Sequence, residues 1–412
     1  TASDSIQKCI DICNDGDTVI VGNGVYRESL VINAKITLIG SSMDSCVIEG
    51  RDDVANAINT YVELTLKGFT IIGRGIESTP INYVFLGNNF YSDYNIYHCR
   101  LSNAYYGIEF QESSGVIDGV IITNVMAGVN TYCFTDTCRP KLKNSVILLN
   151  YNARHAWFSS DGGEPTFLNN IIAVKNTSIW DAPVGIRIGW KPHTKLTAKN
   201  NLFMGCGIYV FDLYTVWTYP FYIINNVFID GKAPEDRTWV LDYVKSNSVI
   251  RNNIFVRNAR AVMATAQPDI DYNIFWENKY YDINSPYQLG ENDINSDPMF
   301  MKDTSGYTLQ ADYRLQMNSP GIDRGDPEIL DVDGTRSDIG MYGGPGGEAY
   351  TYIDLPPRTP SSIEGYFEPN GQYVKISWKM NSEADFDRYV IHRSLKQGFI
   401  PDSSNMYIIT DT

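Results

Sequence analysis

Short apolar stretches of three to five residues recur along the chain and are separated by polar turns. Two asparagines followed by two apolar residues mark the repeat most clearly, starting at Asn169, Asn200, Asn225 and Asn252. Weaker copies of the same phrase centre on Asn95, Asn144 and Asn273, and glycine takes the position at Gly68 and Gly119. The copies follow one another at intervals of 20 to 31 residues. A fixed period of this size is typical of a solenoid.

Each repeat contains three short strands: one before the asparagine, one after it, and a third that begins at a small residue such as Gly107 or Gly185. Long helical periodicity is missing between them, which excludes βαβ units. The pattern predicts an all-β fold, a right-handed single-stranded parallel β-helix of about ten coils stacked roughly 4.8 Å apart. Asparagine tolerates left-handed backbone at the bends, and its amide can bond the asparagine of the next coil. A β-propeller is rejected, because its blades take about 40 residues and this repeat is shorter.

The open ends of such a coil need covers, because they expose unpaired strand edges. Residues 4–13 are expected to form a capping helix with Asp4 and Gln7 as its capping box. The β-helix is expected over residues 1–350, with a closing segment at about 290–350 and a proline-rich linker at 351–360. Residues 361–412 would then form a second module.

Both ends of the β-helical region resemble pectate-lyase-like β-helix proteins secreted by bacteria. The resemblance lies in Asp15–Val19, Gly24–Glu28 and Ile36–Gly40 at the start, and in Asp297–Phe300, Tyr313–Leu315, Ser319–Asp323 and Asp338–Gly344 at the end. It implies a secreted or cell-surface bacterial protein that acts on extracellular polysaccharide. Residues 373–378 and 389–393 resemble strands of a fibronectin type III module, which is expected to be incomplete because such sandwiches take about 90–100 residues.

The charge distribution narrows the class of ligand. The net charge of −15 argues against nucleic acid, and no run of 18 apolar residues could cross a membrane. Residues 119–260 nevertheless carry 15 Lys and Arg against 9 Asp and Glu, with five of the seven tryptophans. Cations bind carboxylate or sulfate, and flat aromatic rings stack on sugars. These coils therefore favour an anionic polysaccharide as the partner.

Alternation along the third strand of each coil identifies candidate ligand-binding side chains. If Ile108, Val129, Ile186 and Ile208 point inward, their neighbours Glu109, Asn130, Arg187 and Tyr209 point outward. The coil between Asn130 and Arg187 is ambiguous: taking Ala156 and Phe158 as core puts His155 and Trp157 outward, whereas the reverse register makes Trp157 a core residue. The coil after Tyr209 presents Asp242. Trp157, Trp190, Trp217, Asn130 and Asp242 are the candidate substrate-binding residues.

The favoured reaction is β-elimination on an acidic sugar, which needs a group to neutralise the carboxylate, a base and an acid. Arg187 is the candidate neutralising group, His155 or Lys191 the base, and Tyr209 the acid. Related lyases use calcium, for which Glu109, Asn130 and Asp161 could supply oxygen ligands. A separate structural calcium loop is suggested by Asp331, Asp333 and Asp338. No organic cofactor is expected.

Two other functions remain open from the sequence. A glycoside hydrolase would use paired carboxylates, with candidates Asp161, Asp181, Asp212 and Asp242. A non-catalytic surface or adhesin-like protein would bind glycans through the same coils and be anchored through sequence beyond residue 412. Cys133 and Cys138 could form a disulfide or stay as thiols.

Overall fold

The computed structural model describes residues 5–75, 83–87, 92–133, 138–149, 155–160, 163–175, 184–188, 195–210, 220–231, 239–304, 310–367 and 373–410. Within these ranges the chain winds into coils whose strands pair in parallel with the equivalent strands of the next coil. The predicted all-β parallel β-helix is confirmed. Among the described residues each face stacks eleven strands, compared with the expected ten coils.

The strands form three faces. The first face contains Thr18–Val21, Ile36–Gly40, Leu64–Lys67, Tyr94–Tyr97, Val116–Asp118, Lys141–Lys143, Thr166–Leu168, Leu196–Lys199, Phe221–Ile224, Val249–Arg251 and Asp269–Asp271. The second contains Gly24–Arg27, Cys46–Glu49, Thr70–Ile72, Val146–Leu149, Ile171–Val174, Leu202–Met204, Val227–Ile229, Ile254–Val256 and Ile274–Trp276. The third contains Leu30–Ile32, Asn56–Thr60, Tyr83–Gly87, His155–Ser160, Val184–Ile188, Gly207–Val210, Leu241–Val244, Arg260–Ala264 and Tyr281–Ile283. Two longer strands, Arg100–Gln111 and Ile121–Tyr132, run through both the second and third faces.

The core is built from stacks of equivalent side chains. Phe203, Phe228, Phe255 and Phe275 stack with ring centroids 4.7, 5.0 and 4.9 Å apart and nearly parallel planes. All four are at most 1% exposed. Because these spacings equal the distance between coils, each ring fills the same place in its coil, and the register of one coil fixes that of the next.

The paired asparagines divide two tasks between them. The first of each pair has left-handed backbone, with φ of 55°, 57°, 54° and 57° at Asn169, Asn200, Asn225 and Asn252. The second forms the predicted amide ladder: Asn201 Nδ2 donates to Asn226 Oδ1 at 2.9 Å, and Asn226 Nδ2 donates to Asn253 Oδ1 at 3.0 Å. The bend therefore needs asparagine twice, once for its backbone and once for its amide.

The closing segment returns along this asparagine corner. Asn252 Oδ1 accepts the backbone N–H of Asp326 at 2.7 Å, and Asn225 Nδ2 donates to the Asp338 carbonyl at 2.9 Å. Asn200 Nδ2 donates to the Gly343 carbonyl at 2.6 Å. Two short strands of this segment, Phe300–Lys302 and Asp312–Leu315, pair antiparallel. The left-handed asparagines of three successive coils thus hold the closing segment against the β-helix.

The N-terminal cap is shorter than expected. The helix spans Ile6–Ile10, and its N-cap is Ser5, whose side chain accepts from the backbone of Lys8. Glu28 accepts the N–H groups of Ile6 and Gln7, both at 3.0 Å. The predicted capping box was therefore wrong, because Gln7 instead bonds the backbone of Val31. Asp4 lies outside the described residues.

Beyond the linker, two antiparallel hairpins are described, Ser361–Phe367 with Val374–Lys379 and Arg388–His392 with Met406–Thr410. A short 3₁₀ turn, Ser403–Asn405, precedes the last strand. Arg358 and Ser382 bond the buried carboxylate of Asp297 at 3.1 and 2.6 Å, so this region contacts the closing segment. The fibronectin type III assignment stays a prediction.

Candidate active site

The third face bends sharply at a column of small residues. Gly107, Gly128 and Ala156 occupy equivalent positions in successive coils. A Cβ on Gly107 would lie 2.5 Å from the Gly128 carbonyl oxygen, and one on Gly128 would lie 2.4 Å from the Ala156 oxygen. Glycine is needed at these two places because neighbouring coils approach closely there. Residues before and after this bend come into contact, as His155 and Asn130 do, and we call the surface of the third face along the bend, from Glu109 to Asp242, the groove.

The residues after the bend form what we call the polar column. Glu109 lies beside Asn130, Asn130 beside Phe158, Phe158 beside Arg187, and Arg187 beside Tyr209. Ile208 pairs with Leu241, which puts Asp242 next to Tyr209. Six successive coils therefore contribute one residue each, in the order that the alternation of the sequence predicts for Glu109, Asn130, Arg187, Tyr209 and Asp242.

One coil is described by its backbone alone. Trp157 pairs with Val129 and Ile186, and Phe158 pairs with Asn130 and Arg187. The side chains of Trp157 and Phe158 lie outside the described residues, so the orientation of Trp157 stays a prediction. Strict alternation fails at the bend, where consecutive residues such as Gly107 and Ile108 are both buried. His155 stands before the bend, facing Asn130 across the groove.

A buried hydrogen-bond network links the two sides of the groove. His155 Nε2 lies 2.7 Å from Asn130 Oδ1, and Asn130 Nδ2 donates to Glu109 Oε2 at 3.5 Å. Tyr83 donates a further hydrogen bond to Glu109. Burial raises the pKa of Glu109, while the hydrogen bonds from Asn130 and Tyr83 oppose this rise. Because an amide oxygen only accepts, the Nε2 atom of His155 carries the proton in this arrangement.

A second cluster contains Arg187, Tyr209 and Asp242. Asp242 is 2% exposed, and burial raises the pKa of its carboxyl to about 7, although a bond from the backbone of Tyr243 opposes the rise. In the described part of the chain its Oδ1 has no hydrogen-bond partner. The pKa of Tyr209 is raised by burial and by the Asp242 charge and lowered by Arg187. A cation, a phenol and a carboxyl that titrates near neutrality thus meet on neighbouring coils.

The groove is less open than the sequence suggests. Glu109, Asn130, His155 and Asp242 are each at most 6% exposed. Arg187 and Tyr209 are only partly buried. The expectation of an exposed ladder was therefore wrong for Glu109, Asn130 and Asp242, and Arg187 and Tyr209 are the described members of the column that meet solvent.

Several predicted site residues lie outside the described residues. These are Lys191, Trp190, Trp217 and Asp161, together with the hydrolase candidates Asp181 and Asp212. The side chain of Trp157 is also outside the description. Tyr83 joins the site although the sequence did not single it out, because its strand carries no asparagine repeat to set its register. Its ring stacks on that of Tyr106 in the next coil, with centroids 5.0 Å apart, which is a contact that only the coordinates show.

The acidic residues proposed as calcium ligands have other partners. Asp331 accepts backbone N–H groups from Asp338 and Gly344, and Asp333 accepts the N–H and hydroxyl of Thr335. Asp338 accepts from the backbone of Asp323 and the hydroxyl of Tyr352. Among the described residues no group of three or more His, Cys, Asp and Glu side chains is arranged to hold a metal ion. These carboxylates organise turns in the closing segment.

The basic excess of the middle coils is only partly in the groove. Arg139 pairs with Glu164, Lys143 with Asp118, and Arg251 with Asp269 and Asp326. Arg257 lies between Asp230 and Asp303. These pairs bind neighbouring coils and the closing segment together. The net charge of a sequence window therefore overstates the positive potential of one face.

Cys133 and Cys138 are both at most 1% exposed and lie within hydrogen-bonding distance of each other. The Cys138 thiol lies 3.4 Å from Glu112 Oε2. Both are thiols in this structure. Whether they form a disulfide stays a prediction.

No protein-family model matches the chain, and no curated protein matches it. A pectin methylesterase from carrot aligns with a TM-score of 0.37 at 13% identity, over 57% of this chain and 81% of its own. A pectin methylesterase from Yersinia enterocolitica aligns with a TM-score of 0.24 at 13% identity, over 50% and 80%. An alginate lyase from Paenibacillus sp. str. FPU-7 aligns with a TM-score of 0.36 at 14% identity, over 69% and 94%. Likeness this distant leaves the function to be argued from the groove.

In the described part of the chain, no helix is both long enough and apolar enough to span a bilayer.

Proposed function

We propose that the protein cleaves an acidic polysaccharide by β-elimination. The observation that carries the proposal is that His155, Arg187 and Tyr209 lie on three consecutive coils facing one groove. Two coil steps span roughly 10 Å. An imidazole, a cation and a phenol are thus spaced over the length of one sugar unit and its glycosidic oxygen.

The chemistry assigns one task to each residue. The Arg187 guanidinium pairs with the carboxylate of a uronate, which makes the proton on the adjacent ring carbon more acidic. His155 removes that proton, and the electron pair forms a carbon–carbon double bond as the glycosidic carbon–oxygen bond breaks. The Tyr209 hydroxyl gives its proton to the leaving oxygen. The products are one chain with a new hydroxyl and one with an unsaturated sugar.

Asp242 lies next to Tyr209 in the neighbouring coil and can return a proton to it. Its carboxyl is buried next to Tyr209 and has a pKa of about 7, so near neutral pH it can supply the proton that Tyr209 has lost. The Arg187 charge stabilises the phenolate that exists in between, as it lowers the pKa of Tyr209. Asp242, which the sequence suggested as a substrate-binding residue, acts in this scheme as a proton store.

Hydrolysis fits the groove less well. A glycosidase needs two carboxyl groups about 5 to 10 Å apart across the bond. The acids of the polar column among the described residues are Glu109 and Asp242, and they are separated by five coil steps. That distance is roughly 24 Å. The described acids of the polar column therefore do not form a hydrolase pair, whereas Asp161, Asp181 and Asp212 lie outside the described residues.

The proposal is tested by incubating the protein with pectin, alginate and sulfated glycans and following near-ultraviolet absorbance together with new reducing ends. Elimination raises both signals, because the unsaturated product absorbs. New reducing ends without absorbance would establish a hydrolase instead. Binding without either signal would indicate a non-catalytic surface protein that binds glycans.

A polymer of this kind is met outside the cell, so the proposal includes a secreted or cell-surface location in a bacterium. The proposed substrate class is the support for this location. Detection of the protein in the culture medium or on protease-accessible cell surfaces tests it, and recovery only from the interior of intact cells would contradict it.

A further inference from the structure

An aromatic and cationic cluster stands beside Asp242 at one end of the groove. Trp239 precedes Asp242 by three residues, on the opposite side of the bend. Val240 N–H donates to the Arg260 carbonyl at 3.1 Å, and Arg260 pairs with Tyr281 in the following coil. Trp239, Arg260 and Tyr281 therefore come from three consecutive coils and continue the side of the groove on which His155 stands.

Trp239 and Tyr281 stack on each other, and Trp239 and Tyr280 contact the arginine. The Trp239 and Tyr281 ring centroids are 6.0 Å apart with an angle of 23° between the planes. The Arg260 guanidinium lies 5.8 Å from the Trp239 centroid and 5.0 Å from that of Tyr280. Arg260 is only 7% exposed, whereas Tyr281 is 56% exposed. The cluster thus presents an aromatic surface to solvent with a positive charge beside it.

We propose that Trp239 and Tyr281, with Arg260 beside them, form a subsite that binds an anionic sugar residue of a polysaccharide chain. The flat ring faces suit the C–H face of a pyranose, and stacking on them orders the sugar without a large entropy cost. The buried guanidinium favours a negatively charged sugar over a neutral one, because its charge is poorly screened by solvent. This subsite deepens the proposed function, on which its role as an extension of the cleavage site rests.

The position of the subsite determines which chain lengths can reach it. A chain that lies along the groove and contacts Arg187 and Tyr209 would next pass Asp242 and then reach Trp239. Only a chain long enough to extend beyond Tyr209 can contact the rings. The subsite therefore selects long anionic chains and contributes little to the binding of short ones.

The test compares Tyr281→Ala with the wild-type protein in calorimetric binding of short and long oligogalacturonates and oligomannuronates. Tyr281→Ala should weaken binding of the long chains of the accepted series about 10-fold, or about 1.4 kcal/mol, and should leave the short chains unchanged. Trp239→Phe, which retains a ring, should have a smaller effect. Tyr61→Ala is the matched control, since Tyr61 is 46% exposed near the other end of the β-helix.

Wild-type affinity of Tyr281→Ala for the long chains would overturn the subsite. So would equal loss for a neutral cello-oligosaccharide of the same length, because the buried arginine would then play no part. The outcome is independent of cleavage: binding that depends on Tyr281 without any unsaturated product contradicts the lyase proposal but supports the subsite. Cleavage that proceeds equally on long chains with and without the Tyr281 ring contradicts the subsite alone.

Discussion

The imidazole of His155 and the amide of Asn130 are joined across the bend of the third face, with Nε2 and Oδ1 2.7 Å apart. The two residues come from adjacent coils, and glycine at 128 allows their side chains to meet. Asn130 is held in turn by Glu109. The contact with the Asn130 oxygen places the proton of the neutral imidazole on Nε2.

Removing the Asn130 amide should impair catalysis more than folding. Asn130→Ala frees the imidazole to rotate and to change tautomer, so kcat should fall at least 10-fold, or about 1.4 kcal/mol, with a smaller change in KM. Steady-state kinetics on the accepted polysaccharide measures both. Asn124→Gly is the control, because Asn124 is exposed and has φ of 51° on the same strand. An unchanged kcat in Asn130→Ala would remove His155 from the reaction.

Arg187 should be needed for its planar, paired hydrogen bonds as well as its charge. Arg187→Gln should lower kcat by about 100-fold to 1,000-fold, the cost of losing one oxyanion-stabilising donor set. Arg187→Lys retains the charge but cannot bind the carboxylate through two parallel hydrogen bonds. Its activity should therefore lie between those of the wild type and Arg187→Gln. Full activity in Arg187→Gln would show that the carboxylate is neutralised elsewhere.

Asp242 should make the stability of the protein depend on pH. Its pKa rises from an ordinary value of 3.8 to about 7 on folding, so the folded state binds the proton more tightly than the unfolded state. The ionised carboxyl therefore destabilises the fold progressively from about pH 4 to pH 7, by up to about 4 kcal/mol. Asp242→Asn should be more stable than the wild type at pH 8, with the difference shrinking towards pH 4.

Denaturant unfolding at pH 5 and pH 8 measures this effect. Asp53→Asn is the control, because the Asp53 carboxyl is exposed and its hydrogen bond from Arg51 lowers its pKa, so any pH dependence of this variant has the opposite sign. A pH-independent difference between Asp242→Asn and the wild type would contradict the assignment of a raised pKa to Asp242.

The amide ladder should carry a measurable part of the stability. Asn226 donates to the carbonyls of Ala198 and Ile224 and to Asn253, and it is fully buried. Asn226→Ala leaves these acceptors without a donor, at a cost of about 1–3 kcal/mol per unsatisfied group. Asn14→Ala, at an exposed position, should change the free energy of unfolding by less than about 0.5 kcal/mol. Equal stabilities of the two variants would show that the ladder is dispensable.

The sequence predicted the fold well because the repeat imposes the same geometry on every coil. Asn201 and Asn226 could be recognised as bend residues from spacing alone, since a bend needs either left-handed backbone or an amide to satisfy its buried carbonyls. The division of these two tasks between neighbouring asparagines required the coordinates. So did the return of Asp326 and Asp338 along the asparagine corner, which is a long-range contact with no local pattern.

The groove could be predicted only in part. The neighbouring positions of Glu109 and Asn130, and of Arg187 and Tyr209, follow from a simple alternation along their strands. The orientation of Trp157 stays a prediction. The burial of His155 and Asp242 cannot be predicted from local sequence, because it depends on neighbours from other coils. The pKa of Asp242, which gives it its proposed role, follows from that burial.

The most direct test of elimination is the mass of the products formed in ¹⁸O-labelled water. The account predicts that the unsaturated fragment is lighter than its hydrolytic counterpart by one water molecule and that neither new chain end contains labelled oxygen. The same reaction with Tyr209→Phe should yield far less product. Labelled oxygen at the new reducing end, with no unsaturated sugar, would contradict the account and identify the reaction as hydrolysis.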